Sequence, residues 1–275
     1  MMKTERTARV ARFYHEGELQ GNAELTLPKT ASHHLITVLR TRQGDVIELF
    51  NGDGFNYRAT VLETGQRTPG KRAQLQVHQA CAAQNESPVL ITLIQAISRG
   101  DRMDTTLRQS VELGVNHVQP VYSRHSAKPL DEKRTAKKME HWQSILISAS
   151  EQSGRACLPT LAPAISLQEA LETLASRASS APSLYVLDPT AQSSLTAQLR
   201  AMHLTQAAAA DNDTSHPVSI GLIIGPESGL DADEIAKAVE SGAHAATIGP
   251  RILRTETAGP ACIALTQAIL GDLDQ

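Results

Sequence analysis

A chain of 275 residues with 41% apolar and 20% charged side chains is too long for a bare helical bundle and too rich in apolar material to stay disordered; its length favours two domains, or one large α/β unit with an appendage. The longest apolar stretches, such as residues 218–224, fall far short of the ~20 residues that cross a bilayer, and the polar residues 1–9 lack the apolar core of a secretory signal, so a cytoplasmic protein without a membrane span is expected. The formal charge of −3 hides an asymmetry, because residues 1–83 hold eleven Lys/Arg against eight Asp/Glu whereas residues 84–275 hold fifteen against twenty-one.

The basic part also carries five of the eight aromatic residues: Phe13, Tyr14, Phe50, Phe55 and Tyr57. Cations interleaved with flat rings suit a phosphate backbone and stacked bases; the same counts suit a small β domain whose few aromatics are its core. Within it, residues 45–50 and 55–62 alternate apolar and polar around Asn51-Gly-Asp-Gly54, and Asn-Gly and Asp-Gly supply the positive φ of a tight turn, so the two runs are expected to pair antiparallel. Residues 73–78 alternate as well. Residues 10–80 therefore read as a small β barrel or curled sheet with one short helix near residues 32–39, and the polar, proline-bearing residues 82–88 read as a linker.

Beyond Pro88 the rhythm becomes strand and helix in alternation. Residues 89–97 form a buried-strand run, a helix follows from Met103 to Leu113 and stops at Gly114, residues 115–122 form the next strand, and a long polar helix covers 132–150. Residues 184–188, 219–224 and 245–249 are three more short strands, and residues 207–215 read as a loose surface loop. Strands separated by helices of this length argue for a mostly parallel sheet covered on both faces. Cys81, Cys157 and Cys262 are far apart and odd in number, which fits reduced, buried thiols and no zinc site.

Several familiar chemistries lose support. Residues 65–72 imitate a phosphate-cradling P-loop, but Arg72 stands where the magnesium-holding hydroxyl belongs, so a β-turn with a basic tip is expected there. No Gly-x-Gly-x-x-Gly, HExxH or CxxC occurs, and Gly225-Pro-Glu-Ser-Gly229 lacks the spacing of a nucleophile elbow. That glycine turn nonetheless follows the strand ending at Ile224 and precedes a helix with Asp231 as N-cap, Glu234 as capping-box partner and Gly242 as stop. Glycines at the carboxyl end of a parallel strand let a ligand approach the backbone, although a turn between any strand and helix could be geometry alone. A second loop of this kind, Thr247-Ile-Gly-Pro-Arg-Ile-Leu-Arg-Thr-Glu-Thr-Ala258, precedes a terminal helix over 258–270. That helix is apolar nearly all round and must be buried in the fold or against a second subunit.

The strings Ile224-Gly-Pro-Glu-Ser-Gly-Leu230 and Ile248-Gly-Pro-Arg-Ile-Leu-Arg-Thr-Glu-Thr-Ala258 resemble the carboxyl-terminal signature of the SPOUT methyltransferases that modify N3 of a uridine in 16S ribosomal RNA. The similarity continues through Ser110-Val-Glu-Leu-Gly-Val115, Glu151-Gln-Ser-Gly-Arg155, His33-His-Leu-Ile-Thr-Val-Leu-Arg40 and Gly44-Asp45, and so covers nearly the whole chain. It implies a PUA-like, RNA-docking β-barrel over residues 1–83 and an α/β SPOUT domain over 84–275, with a deep trefoil knot in about 184–275. It also implies a homodimer and a 16S ribosomal RNA substrate within the small subunit, with no part for DNA. S-adenosylmethionine would be held by Leu187, Ile224, Gly225, Pro226, Glu227, Ser228, Gly229, Ile248, Gly249, Ile252, Leu253, Arg254 and Thr255. Two positions depart from the family: Ser228 replaces a usual glycine, and Gly100-Asp-Arg-Met103 stands where a lysine often begins the helix.

Methyl transfer to the ring nitrogen requires loss of its proton, so a cation should stabilise the developing anion and a carboxylate should accept the proton. Arg254 and Arg251 are the candidates for the first role and Glu256 or Glu227 for the second, with Arg254 and Glu256 preferred. Arg12, Arg40, Arg42, Arg124 and Arg155 are the RNA-docking candidates, and Lys133, Arg134, Lys137 and Lys138 form a basic helix face that is either an RNA contact or a solvated side. His33 and His34 lack a third ligand nearby, so no metal is expected. The rival readings are ribose 2′-O-methylation by the same superfamily and a non-catalytic RNA-binding or ribosome-assembly protein.

Overall fold

The computed structural model describes residues 10–64, 72–127, 129, 131–175, 182–209 and 217–273. The chain divides into two compact units, Met1–Glu86 with Ser150–Leu158, and Ser87–Ala149 with Pro159–Gln275.

The first unit contains β1 (Arg12–Tyr14), β2 (Glu24–Thr26), α1 (Lys29–His33) continuing into a π-helical turn (His34–Val38), β3 (Val46–Phe50), β4 (Phe55–Glu63) and β5 (Gln74–Ala82). They form one sheet in the order β1-β3-β4-β5-β2, antiparallel apart from the β1–β3 pair. The expected hairpin joins β3 to β4, with Gly52 at φ 96° and Gly54 at φ 87°, a conformation that L side chains rarely adopt. Alternation along β4 sends Tyr57, Ala59 and Val61 inward to meet Phe13, Leu27, Leu35, Ile47, Leu49 and Leu75. Aromatic residues thus serve mainly as core: Phe13, Phe50 and Tyr57 are buried, and Phe55 is the exposed one. Tyr57 donates to Asp53 at 2.7 Å; this hydrogen bond, with burial, pushes its hydroxyl up to about 12. Cys81 is exposed, which corrects the expectation of a buried thiol, while Cys157 is half-buried, Cys262 is buried, and all three are free. The basic turn expected over 65–72 lies outside the described residues except for Arg72.

The second unit runs β6 (Leu90–Ala96), α2 (Arg102–Glu112), β7 (His117–Tyr122), α3 (Glu132–Ser153, its last turn counting with the first unit), β8 (Thr160–Leu161), β9 (Ile165–Ser166), α4 (Leu167–Ala175), β10 (Ser183–Leu187), α5 (Leu195–Ala209), β11 (Ser219–Ile224), α6 (Ala232–Glu240), β12 (His244–Ala246) and α7 (Thr255–Leu270). Its sheet has the order β12-β10-β11-β6-β7-β8, with β9 also pairing β7, and every pairing is parallel. Central strands of a parallel sheet are covered on both faces, which is why β6 and β11 bury Ile91, Leu93, Ile94, Ile220, Leu222 and Ile223. Gly221 leaves room there for Leu184, whose Cδ2 a Cβ would crowd.

The last helix begins at Thr255, a turn before the expected start, and packs on α2 and α5, burying Ala258, Gly259, Pro260, Cys262 and Ile263. Ala207–Ala209, expected in a loop, end α5; residues 210–216 lie outside the described residues. No helix among the described residues is long and apolar enough to cross a membrane.

Candidate active site

Strands β10, β11 and β12 are neighbours and run parallel, so the loops at their carboxyl ends share one edge of the sheet, where open α/β folds bind ligands. These loops enclose a cavity of about 760 Å³. Of the thirteen residues expected to hold a cofactor, Leu187, Ile224, Gly225, Pro226, Glu227, Ser228, Gly229, Ile248, Ile252, Leu253 and Thr255 line it, and Arg251 joins them. Gly249 and Arg254 do not line it. Asp188, Pro189 and Thr190 do, and the sequence offered no sign of them, because their place follows from β10 lying between β11 and β12.

The first loop is shaped by close backbone packing. A Cβ on Gly225 would lie 2.8 Å from the Leu230 nitrogen, and Gly229 has φ +76°. Ser228 is not among the left-handed residues of the chain, so the serine fits without backbone strain. Asp231 and Glu234 form the expected capping box at the start of α6, worth about 1 kcal/mol. Arg124 reinforces this point: its backbone N–H donates to Glu234 Oε1 at 2.8 Å and its guanidinium pairs with Asp231 at 2.8 Å and Asp233 at 3.6 Å. The backbone N–H of Asp233 and then Arg124 hold the Asp231 carboxyl below its ordinary range.

The second loop is tied to the first by Thr255, whose hydroxyl donates to the Gly225 carbonyl at 2.8 Å. Gln95, fully buried on β6, donates to the same hydroxyl at 3.1 Å. Sequence reading did not find Gln95, although a glutamine within a mostly apolar strand is the kind of residue that must meet a buried partner.

Beside Thr255 stands a charged cluster. Glu227 Oε1 accepts the Arg99 N–H and Arg102 Nη1, each at 2.8 Å. Burial alone would raise this carboxyl, but hydrogen bonds from its own backbone, from Arg99 and from Arg102 outweigh that and hold it below the usual carboxylate range. Glu256 is placed differently: Arg102 Nε approaches its Oε2 to 3.8 Å and Arg254 Nη1 its Oε1 to 4.0 Å, and the buried Oε2 accepts no hydrogen bond. Two hollows, of about 390 and 250 Å³, share Arg102 and Glu256 in their walls. Arg254 lines the smaller one and is 85% exposed.

The five arginines expected at RNA separate into two sets. The Arg12 side chain is 8% exposed, pairs with Glu48, and donates to Asn56 and to the carbonyls of Ser150 and Arg155. Arg155 is buried against Glu86 at 3.0 Å, and Glu86 also accepts the N–H groups of Ala156 and Cys157. These two guanidiniums hold the first unit's own segments together. Arg124 braces α6 as described. Arg40 and Arg42 are exposed, Arg40 with φ 55° just after the π-helical turn. The π-helical His34 packs edge-on against Phe13, and no cluster of metal-ligating side chains occurs among the described residues.

Residues 85–267 match the RNA methyltransferase domain and residues 27–68 match the RNA methyltransferase PUA domain. The ribosomal RNA small subunit methyltransferase E of Buchnera aphidicola subsp. Schizaphis graminum is 30% identical over 96% of this chain and 98% of its own length, and that of Bacillus subtilis is 26% identical over 82% of each. The crystal structure of a ribosomal RNA small subunit methyltransferase E from Neisseria gonorrhoeae bound to S-adenosylmethionine is 38% identical, with a TM-score of 0.79 over 96% of this chain and 99% of that one. A Legionella pneumophila protein solved with the same cofactor is 32% identical, with a TM-score of 0.81 over 97% and 100%. An α/β sheet whose strand-end loops close on one cavity, a sheet unit matching a PUA domain and these full-length likenesses place the chain in the ribosomal RNA small subunit methyltransferase E family.

Proposed function

We propose that this chain transfers the methyl group of S-adenosylmethionine to N3 of a uridine in 16S ribosomal RNA of the small subunit. In this account residues 1–83 dock the RNA, residues 84–275 carry the chemistry with the chain knotted over about 184–275, and the working form is a cytoplasmic homodimer. The observation that carries it is the pairing of a 760 Å³ cavity between glycine-shaped loops with a buried, unbonded carboxylate oxygen beside it.

The cavity suits the cofactor: Ile224, Leu230, Ile235, Ile248, Leu253 and Ala258 offer apolar walls for an adenine, while Asp188, Thr190, Glu227 and Arg251 offer polar rims for a ribose and an amino acid. When bound, S-adenosylmethionine supplies a methyl group on a cationic sulfur, and the carbon–sulfur electron pair stays with the sulfur, which leaves neutral. The chain's own task is at the uridine. Glu256 takes the N3 proton, and the electron pair so released on N3 forms the new bond to the methyl carbon. Arg254, beside Glu256, faces the anion that develops on the carbonyl oxygens of the base. Glu227 is the poorer proton acceptor because its carboxylate is already occupied by Arg99 and Arg102. Placement by the loops supplies the rest of the acceleration.

The test is to incubate the protein with tritiated donor and undermethylated small subunits and digest the RNA to nucleosides. Label in N3-methyluridine is expected; label in a ribose-methylated nucleoside, or none in RNA, would refute the proposal. In Arg254→Ala, methyl transfer is expected to be lost while donor affinity persists.

A further inference from the structure

Glu256 lies between two guanidiniums that approach it without engaging it. Arg102 Nε is 3.8 Å from Oε2 and Arg254 Nη1 is 4.0 Å from Oε1, both beyond hydrogen-bond distance. The same Arg102 commits Nη1 to Glu227 at 2.8 Å, which fixes the fork while leaving its Nε edge toward Glu256. The three groups thus present donor, acceptor and donor in sequence, and all three border the smaller hollow.

The imide edge of uracil is the complement of that row: a carbonyl acceptor, the N3–H donor and a second carbonyl acceptor. We propose that Arg102, Glu256 and Arg254 read this edge, making the smaller hollow, which all three line, the seat of the target base and Arg102 a specificity-determining residue that selects uracil over cytosine. The assignment rests on the methyl-transfer function proposed above and adds to it the means by which one pyrimidine is chosen. Cytosine would bring an unprotonated N3 lone pair against the Glu256 carboxylate and an amino donor against a guanidinium, leaving the buried Glu256 Oε2 without a donor and setting like groups against each other. A site built to hydrogen-bond one edge rejects its mismatch strongly for that reason. N3-methyluracil, with a methyl in place of the proton, would also be refused, which favours release of the product.

The experiment follows the arginine side-chain Nε–H resonances of the full-length protein while uridine 5′-monophosphate, cytidine 5′-monophosphate or N3-methyluridine 5′-monophosphate is added; donor binding is measured separately by calorimetry. The uridine nucleotide is expected to shift the Arg102 and Arg254 signals with at least roughly tenfold higher affinity than the other two. Arg102→Ala should abolish this preference, and Arg102→Lys, which keeps the charge but not the fork, should restore part of it. Equal response to the three nucleotides, no response to the uridine nucleotide at millimolar concentration, or an undiminished preference in Arg102→Ala would overturn the assignment. Uridine selectivity in a protein that takes up no donor would support the edge reading while refuting the methyl-transfer function.

Discussion

The Thr255 hydroxyl donates to the Gly225 carbonyl across 2.8 Å, joining residues thirty positions apart on the two loops that wall the cavity. Because Gln95 in turn donates to Thr255 Oγ1, the central strand β6 sets the distance between those loops. Thr255→Val removes the donor and leaves the Gly225 carbonyl short of a partner, a loss of about 1–3 kcal/mol. Donor affinity measured by calorimetry should fall roughly tenfold or more, and Thr255→Ser should behave as the parent.

Backbone crowding in the first loop makes opposite forecasts for two neighbours. In Gly225→Ala the new methyl group meets the Leu230 nitrogen at 2.8 Å, a backbone atom that cannot swing aside, so donor binding should be lost while circular dichroism reports an intact fold. Ser228 carries no left-handed strain, and Ser228→Gly should bind donor within twofold of the parent. The residue that departs from the family pattern is thus the tolerant one.

The pH dependence follows from Glu227 and Asp231, both held below their ordinary carboxyl values. A group whose folded-state value is depressed stabilises the fold fully above its unfolded value and ceases to do so as the pH falls through the folded one. The first loop should therefore be equally stable from neutrality down to about pH 4.5, the ordinary glutamate value, and weaken below it. Thermal unfolding followed across pH 3–7 checks this: Glu227→Gln should flatten the acid limb, and an unchanged limb in that variant would remove Glu227 from the cause.

Arg12 and Arg42 make a contrast between structure and docking. Arg12→Ala strands a partly buried Glu48 and vacates four hydrogen bonds, at a cost of about 2–4 kcal/mol, between the values for exposed and buried pairs. Chemical denaturation should show that loss, whereas Arg42→Ala should leave stability unchanged and weaken RNA binding with a reduced salt dependence.

Local chemistry made much of this legible in advance. The Asn-Gly-Asp-Gly hairpin, the Asp231–Glu234 capping box and the glycine stops at Gly114 and Gly242 each follow from short-range rules of φ and capping, and they stand where those rules put them. Two-residue strands such as β8 and β9 have no period to detect, and α4 and α5 went unread beside them. The strings 224–230 and 248–258 revealed most of the cavity wall, yet Asp188 and Thr190 enter it, and Gln95 reaches Thr255 from behind it, through strand order, a long-range property. The same limit explains Arg12 and Arg155: charge and neighbouring aromatics in the sequence do not disclose the carboxylates that the fold brings against them.

The central claim is that the loops ending β10, β11 and β12 bind the methyl donor, and titrating S-adenosylmethionine into the full-length protein by calorimetry tests it most directly. The account predicts saturable uptake at one site per chain in the parent protein and none in Gly225→Ala. A well-folded parent protein that takes up no S-adenosylmethionine, or a Gly225→Ala variant that binds it as tightly as the parent, would contradict it.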